Sequence, residues 1–348
     1  MQNKYILILL ASFFQLSVSS QTNFDECTIG VAHGSVTQDG RPLVWKTRDY
    51  DSNHMGLKNM NSYDYNYIYI YDDSWTFFPT SGLNEHGLAL VKADILDLTP
   101  ATTGPTNAQL QRHTLGYCRT IDDFQAYLDS TNITGRQVAG NFALIDSTGA
   151  AAIFEVGGYE YWRFDAQDEP NGYIVRTNFT FNGGGTTGIQ RYNRSSDLVE
   201  AFHSGDSLSN KSLIRYQMRD FSDVSSQPFP VPYLNQMNIN VPYGYFHTYY
   251  SICNHRSTST AVIQGILPDE KPELSTMWAM LGHPAASITS PYWPVGLTPS
   301  ISLDSICDIA LIIKEMLFNI SPPQYINSLR LKDTIGGGLW TCTLPTED

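Results

Sequence analysis

Cys27 stands a few positions beyond an apolar leader and opens the run Cys27-Thr28-Ile29-Gly30-Val31-Ala32, which then turns through Asp39-Gly40. A cysteine that becomes the first residue of a mature chain carries a thiol and a free α-amine on one residue. The thiol has an ordinary pKa near 8.5 and the amine one of about 7.7 to 8.0, close enough for a proton to pass between them at neutral pH. One residue then supplies both the attacking group and the proton acceptor. Such chemistry makes the chain an enzyme. The other cysteines are Cys118, Cys253, Cys307 and Cys342, so in an oxidising compartment Cys27 is the odd one left when four pair. Their spacing matches no zinc signature, and the eight histidines form no His-x-x-x-His pair suited to a metal. No cofactor or metal is expected.

Exposing that cysteine requires processing. Lys4 is followed by the apolar stretch Tyr5 to Phe14 and then by small residues up to Ser20, which predicts a signal peptide over 1–20 cleaved before Gln21. Residues 21–26 then form a short propeptide, and 27–348 form one domain. The bulky, acidic Phe24-Asp25-Glu26 does not suit a lipid-attachment site. No later stretch reaches roughly 20 uninterrupted apolar residues, so no membrane span is expected and the mature protein is read as secreted or periplasmic. The net charge of −13, with no compensating Lys/Arg run, argues against a nucleic-acid partner. Sequons begin at Asn132, Asn178, Asn193, Asn210 and Asn319. The oligomeric state is not legible.

The elements that must position Cys27 follow from local pattern. Cys27 to His33 and Pro42 to Asp49 read as a hairpin closed through Gln38-Asp39-Gly40. Strands are expected at Tyr67 to Tyr71, Trp75 to Phe78 and Leu88 to Ala93, the last after a Gly82 to Gly87 turn. Helical patterns cover Thr106 to Cys118 and a segment opened by Thr120-Ile121-Asp122-Asp123, a capping-box-like start. Strands resume at Asn141 to Ile145, Ala151 to Val156, Tyr159 to Phe164 and Gly172 to Thr177. Arg191 to Phe202 and Ser212 to Phe221 have helical spacing. Thr260 to Leu267 and Ser275 to Leu281 read as strands, and Leu303 to Phe318 as an amphipathic helix. Runs of strands separated by pairs of helices predict an α+β sandwich of two mainly antiparallel sheets under covering helices. Gly183-Gly184-Gly185 reads as a flexible surface loop.

Cys27-Thr28 together with Arg48-Asp49-Tyr50-Asp51 resembles the superfamily of choloylglycine hydrolase, penicillin V acylase, isopenicillin N acyltransferase and acid ceramidase. Those enzymes pair a nucleophilic Cys-Thr with Arg-x-x-Asp across a hairpin. Three further segments resemble the family in the same order: Gly82-Leu83-Asn84-Glu85-His86-Gly87-Leu88, Thr177-Asn178, and Arg191-Tyr192-Asn193-Arg194. The resemblance spans Cys27 to Arg194 and implies an N-terminal-nucleophile fold, a four-layer αββα sandwich with Cys27 at the start of a central strand. On that reading Arg48 stabilises the thiolate and Asp51 accepts a hydrogen bond from the α-ammonium. Asn178 donates to the oxyanion of the tetrahedral intermediate, and Arg191 supplies positive charge near Cys27 or anchors Asn178. Asp94 stands where the family often has a second oxyanion-hole asparagine, with Lys92 nearby. A carboxylate accepts rather than donates, so either a backbone amide serves instead, or Asp94 faces a cationic substrate group, or activity is impaired.

The resemblance further implies that Cys27 attacks the carbonyl of Glu26 to free its own amine. The expected activity is hydrolysis of linear, non-peptide amides such as N-acyl amino acids, amine conjugates, penicillin V or conjugated bile acids, with a small-molecule acyl amide as partner. An acyltransferase would use the same thioester with an amine intercepting it. A catalytically impaired secreted binding protein is the alternative of another class.

Overall fold

The apolar residues of the run from Cys27 to Ala32 alternate, and the alternation sorts them between two layers. In the computed structural model, which describes residues 26–51, 54–74, 76–222, 245–295, 303–318 and 328–330, Cys27, Ile29 and Val31 pack between two sheets while Ala32 faces outward. The expected signal segment, residues 21–25 of the expected propeptide, and Cys342 lie outside the described residues.

The strands in chain order are β1 (Glu26–Ala32), β2 (Leu43–Asp49), β3 (Met55–Met60), β4 (Tyr67–Asp72), β5 (Ser81–Asn84), β6 (Ala89–Asp94), β7 (Gly140–Ile145), β8 (Ala151–Val156), β9 (Tyr161–Asp165), β10 (Tyr173–Arg176), β11 (Tyr245–His247), β12 (Ser257–Gln264), β13 (Thr276–Leu281), β14 (Ser290–Tyr292) and β15 (Ser328–Arg330). One sheet runs β10-β1-β2-β12-β13-β14 and the other β3-β4-β5-β6-β7-β8-β9, with every pairing antiparallel; β11 and β15 pair apart from both.

Three apolar clusters make the layers. The first joins Ile29, Val44, Ile70, Val91 and Ile153 between the sheets. The second packs α1 (Asn107–Tyr117) and α2 (Ile121–Thr134) on the outer face of the seven-stranded sheet, with Leu110, Phe124 and Leu128 against Leu90, Phe142 and Phe154. The third packs α3 (Ile189–Ser204) on the outer face of the six-stranded sheet, with Val199 and Phe202 against Trp45 and Val175. The result is the expected αββα order. Burying a side chain such as Phe124 completely contributes roughly 1.5–3 kcal/mol. Capping boxes at Thr106/Gln109 and Thr120/Asp123 start α1 and α2, and Gly135, at φ 83°, ends α2.

Four local readings are corrected. Residues 76–77 of the expected Trp75–Phe78 strand form a turn, and Trp75 lies outside the described residues. Aromatic content there serves a cavity rim, not a sheet. Gly82, Leu83 and Asn84 belong to β5, the turn shrinking to Asn84–Gly87, where the Asn84 carboxamide accepts from His86 N and Leu88 N. Ser212–Phe221 is no continuous helix: a short helical turn passes into a π-turn over Leu213–Gln217. The three-glycine loop is pinned, because the Asp97 carboxylate accepts from Thr180 N, Thr180 Oγ1 and Gly185 N.

Candidate active site

β1 lies inside the six-stranded sheet, flanked by β10 and β2. Its register on β2 sets Cys27 opposite Arg48 and Glu26 opposite Asp49. The two-residue period carries Lys46 and Arg48 inward. Lys46 Nζ donates to Thr80 O at 3.1 Å, and Arg48 Nη1 donates to Asp72 Oδ2 at 3.2 Å with Met55 Sδ at 3.4 Å. These partners belong to the facing sheet or its edge, so Arg48 is a cation buried between sheets beside the Cys27 strand. Its guanidinium also sits 4.5 Å from the centre of the Tyr50 ring.

On the other side, β10 pairs Arg176 with Ile29. Two residues further along, an antiparallel neighbour comes level with Cys27, and that residue is Asn178. Cys27 N donates to Asn178 Oδ1 at 2.9 Å, and Asn178 Nδ2 donates to the backbone carbonyl of Asp94 at 2.7 Å. Asn141 of the facing sheet fixes the backbone on both sides, its Nδ2 donating to Thr177 O (3.0 Å) and Phe179 O (2.8 Å). Asn178 is wholly buried. The side chain therefore holds the Cys27 nitrogen, and its two ends are fixed by separate elements.

Arg191 comes from the first turn of α3. Gly188 precedes that helix in the left-handed region (φ 79°), and a Cβ there would sit 2.8 Å from Arg191 Nη2, so glycine is required for this approach. Arg191 Nη1 donates to Cys27 O at 2.7 Å, and Nη2 donates to Asn178 Oδ1 at 2.9 Å. Its guanidinium thus lies beside both Cys27 and Asn178.

Asp51 and Asp94 each pair with a nearby cation. Asp51 Oδ1 accepts from Arg256 Nε at 3.0 Å. Its side chain is 40% exposed, and its ion-pair partner is Arg256. Asp94 lies on the same face of β6 as Lys92, and the two side chains form an ion pair. The carboxylate is thus neutralised, and the group Asp94 lends to the site is its carbonyl, which holds Asn178.

Side chains given no role in the sequence reading complete the centre. Glu26 is ion-paired to Arg191 at 3.5 Å and to Arg256 at 3.4 Å. Asp49 is fully buried, accepts from Ser257 Oγ at 2.6 Å and Asn254 Nδ2 at 2.9 Å, and lies 3.9 Å from Arg191. Burial pushes its carboxyl up to about 6, against the opposing pull of Arg191 and the Ser257 hydrogen bond. Asn254, Arg256 and Ser257 occupy a polar stretch entering β12, where no periodicity or motif marks them.

Cys118, Cys253 and Cys307, like Cys27, are buried. Cys253 lies 3.9 Å from His283, which looks like a nucleophile and its base. The ring's Nδ1 accepts from Ala285 N, so Nε2 carries the proton and donates to Asn254 O at 2.8 Å. Burial raises the Cys253 thiol well above its ordinary value and lowers His283 to about 3. That pair is neutral and structural.

Beside Arg48 opens a cavity of about 660 Å³, lined among others by Tyr50, Asp72, Phe77, Phe78 and Asp94. Its size and mixed apolar and charged wall suit a small organic ligand. Among the described residues no cluster of three or more His, Cys, Asp or Glu can hold a metal, and no helix is long and apolar enough to cross a membrane.

Comparison with curated proteins gives no match. Among solved structures the chain is similar to penicillin V acylase from Agrobacterium tumefaciens (14% identity, TM-score 0.47, covering 77% of this chain and 85% of that one). It is similar to a mutant conjugated bile acid hydrolase from Clostridium perfringens (12%, TM-score 0.47, 76% and 92%). A third likeness is to the N-acylethanolamine-hydrolyzing acid amidase ortholog of Caenorhabditis elegans (12%, TM-score 0.45, 73% and 99%). The model of the acyl-coenzyme A:6-aminopenicillanic acid acyl-transferase family matches residues 36–234. That is more than half of the chain, and with two stacked antiparallel sheets between helix layers it makes this protein a member of that acyltransferase family, within the N-terminal-nucleophile superfamily.

Proposed function

We propose that the protein is a secreted cysteine amidohydrolase of linear, non-peptide amides, such as N-acyl amino acids, amine conjugates, penicillin V or bile-salt-like conjugates, with Cys27 as nucleophile. The observation that carries this reading is the convergence of Asn178 and Arg191 on the nitrogen and carbonyl of Cys27. A backbone nitrogen seldom has a buried side chain of its own. Here the nitrogen so served is the one that becomes a free amine if the Glu26–Cys27 bond is cut.

Activation is an acyl shift. Cys27 Sγ attacks the Glu26 carbonyl carbon, a C–S bond forms, the C–N bond breaks, and the thiol proton passes to the departing nitrogen. Water then hydrolyses the thioester. In turnover the liberated amine takes the thiol proton as sulfur attacks the substrate amide, and delivers it to the leaving amine. Water releases the acid and restores the thiol. Arg48 stabilises the thiolate, and the amide of Asn178 stabilises charge on the tetrahedral oxygen. The side chain of Asp51 is tied to Arg256, and this supports a role in positioning that arginine rather than in holding the amine.

Family membership favours a second reading, acyl transfer, in which an amine takes the place of water at the thioester. Intact-mass analysis of the purified protein, with amine release from a panel of acyl amides by wild type and Cys27→Ala, tests the proposal. A mature mass starting at Cys27 and release by wild type alone are expected. Equal release by both forms, or a fully active species retaining Glu26, overturns it.

A further inference from the structure

Arg191 and Arg256 are both buried, and both point at one carboxylate, that of Glu26, at 3.5 and 3.4 Å. Glu26 is the residue that departs when Cys27 is exposed, so these two cations lose the one carboxylate that they share in the unprocessed chain. The charge balance moves with it. Arg191 and Arg256 face Glu26, Asp49 and Asp51; cleavage removes one negative charge and adds the α-amine of Cys27. The Glu26 side chain is 20% exposed, so the place it leaves is open to solvent. We propose that this place is a carboxylate subsite, with Arg256 as its specificity-determining residue, and that the preferred substrates are amides whose acyl half ends in a carboxylate.

The proposal rests on the amide-hydrolase reading and adds a substrate class to it. Glu26 supplies the ruler. Its own carbonyl carbon is the one attacked in processing, and three carbons separate that carbon from its side-chain carboxylate. A glutaryl amide reproduces this spacing, whereas a valeryl amide puts a methyl group where the carboxylate would lie. Two arginines with distinct approach directions suit a carboxylate better than one point charge.

The test compares glutaryl and valeryl amides of the same chromogenic amine on the mature protein. A kcat/KM ratio of about ten or more in favour of glutaryl is expected, the size of one charge-assisted interaction. Arg256→Gln should bring the ratio toward one, and Arg256→Lys should keep part of it; because each ratio is taken within one variant, losses of folding or basal rate cancel. A wild-type ratio near one, or a ratio that Arg256→Gln leaves unchanged, overturns the subsite. If neither amide turns over, the hydrolase reading fails for these substrates, and thermal melting with glutarate against valerate decides the subsite alone: stabilisation by glutarate only supports it, and no difference overturns it.

Discussion

Asn178 is used at both ends of its carboxamide, with Cys27 N and Arg191 on the oxygen and Asp94 O on the nitrogen. On the proposed mechanism, truncating it removes the acceptor for the Cys27 nitrogen together with the donor to the oxyanion. Asn178→Ala should lower kcat about 10²–10³-fold, or ~2.7–4 kcal/mol, with far less change in KM, measured by steady-state amine release on mature protein. A tenfold rise in KM at unchanged kcat would contradict that role. Asp49 makes a prediction about pH. Its folded-state value of about 6 lies above the ordinary 3.8, so the folded state holds more protons in that window and stability is lost as pH rises through it. His283, lowered to about 3, acts in the opposite sense, its contribution being lost as pH falls below the ordinary 6.5. The Asp49 effect is isolated by difference: wild-type stability minus that of Asp49→Asn should fall by up to about 3 kcal/mol between pH 4 and 7 in denaturant melts. A constant difference would refute it.

At the scale of elements, Gly30 is the position where β1 tolerates least. A Cβ there would lie 2.2 Å from Trp45 Cζ2 and 2.8 Å from Ile174 O, and Trp45 is its cross-strand neighbour and part of the outer core. Gly30→Ala should cost ~1–3 kcal/mol by overpacking, read as a lowered midpoint in chemical denaturation. An unchanged midpoint would mean that Trp45 is not fixed as described. Apolar strand runs and helices with capping boxes were legible: β1, β2, β7, β8 and α1 fall within a residue or two of the sequence reading, and α2 starts at its expected capping box. Elements set by neighbours were not. β3 (MGLKNM) has no β-branched residue and no clean alternation of buried and exposed positions, and it exists because β4 supplies its partner. The site divides in the same way. Cys27, Arg48, Asn178 and Arg191 lie on or beside periodic elements and carry the resemblance. Glu26, Asp49, Asn141, Arg256 and Ser257 reach the centre through cross-strand register and long-range packing, which a linear pattern does not encode.

Over the whole molecule, both sheets and one outer helix meet at Cys27: β1, β2 and β10 bring the backbone, Asn141 comes from the facing sheet, and Arg191 from α3. Self-cleavage should therefore depend on complete folding and on the two ion pairs of Glu26. Glu26→Ala is expected to slow formation of the mature mass at least severalfold while the melting midpoint changes little, followed by time-resolved intact-mass measurement after refolding. Processing at the wild-type rate would show that the clamp does not orient the bond. The burial of Asn178 reaches further still. Asn178-Phe179-Thr180 is an acceptor tripeptide, and a host that attaches oligosaccharides during translocation meets it while the chain is still extended. A sugar added there has no room in the closed molecule, whose Asn178 is wholly enclosed. In such a host, working protein is the product of a race that folding must win before the transferase arrives.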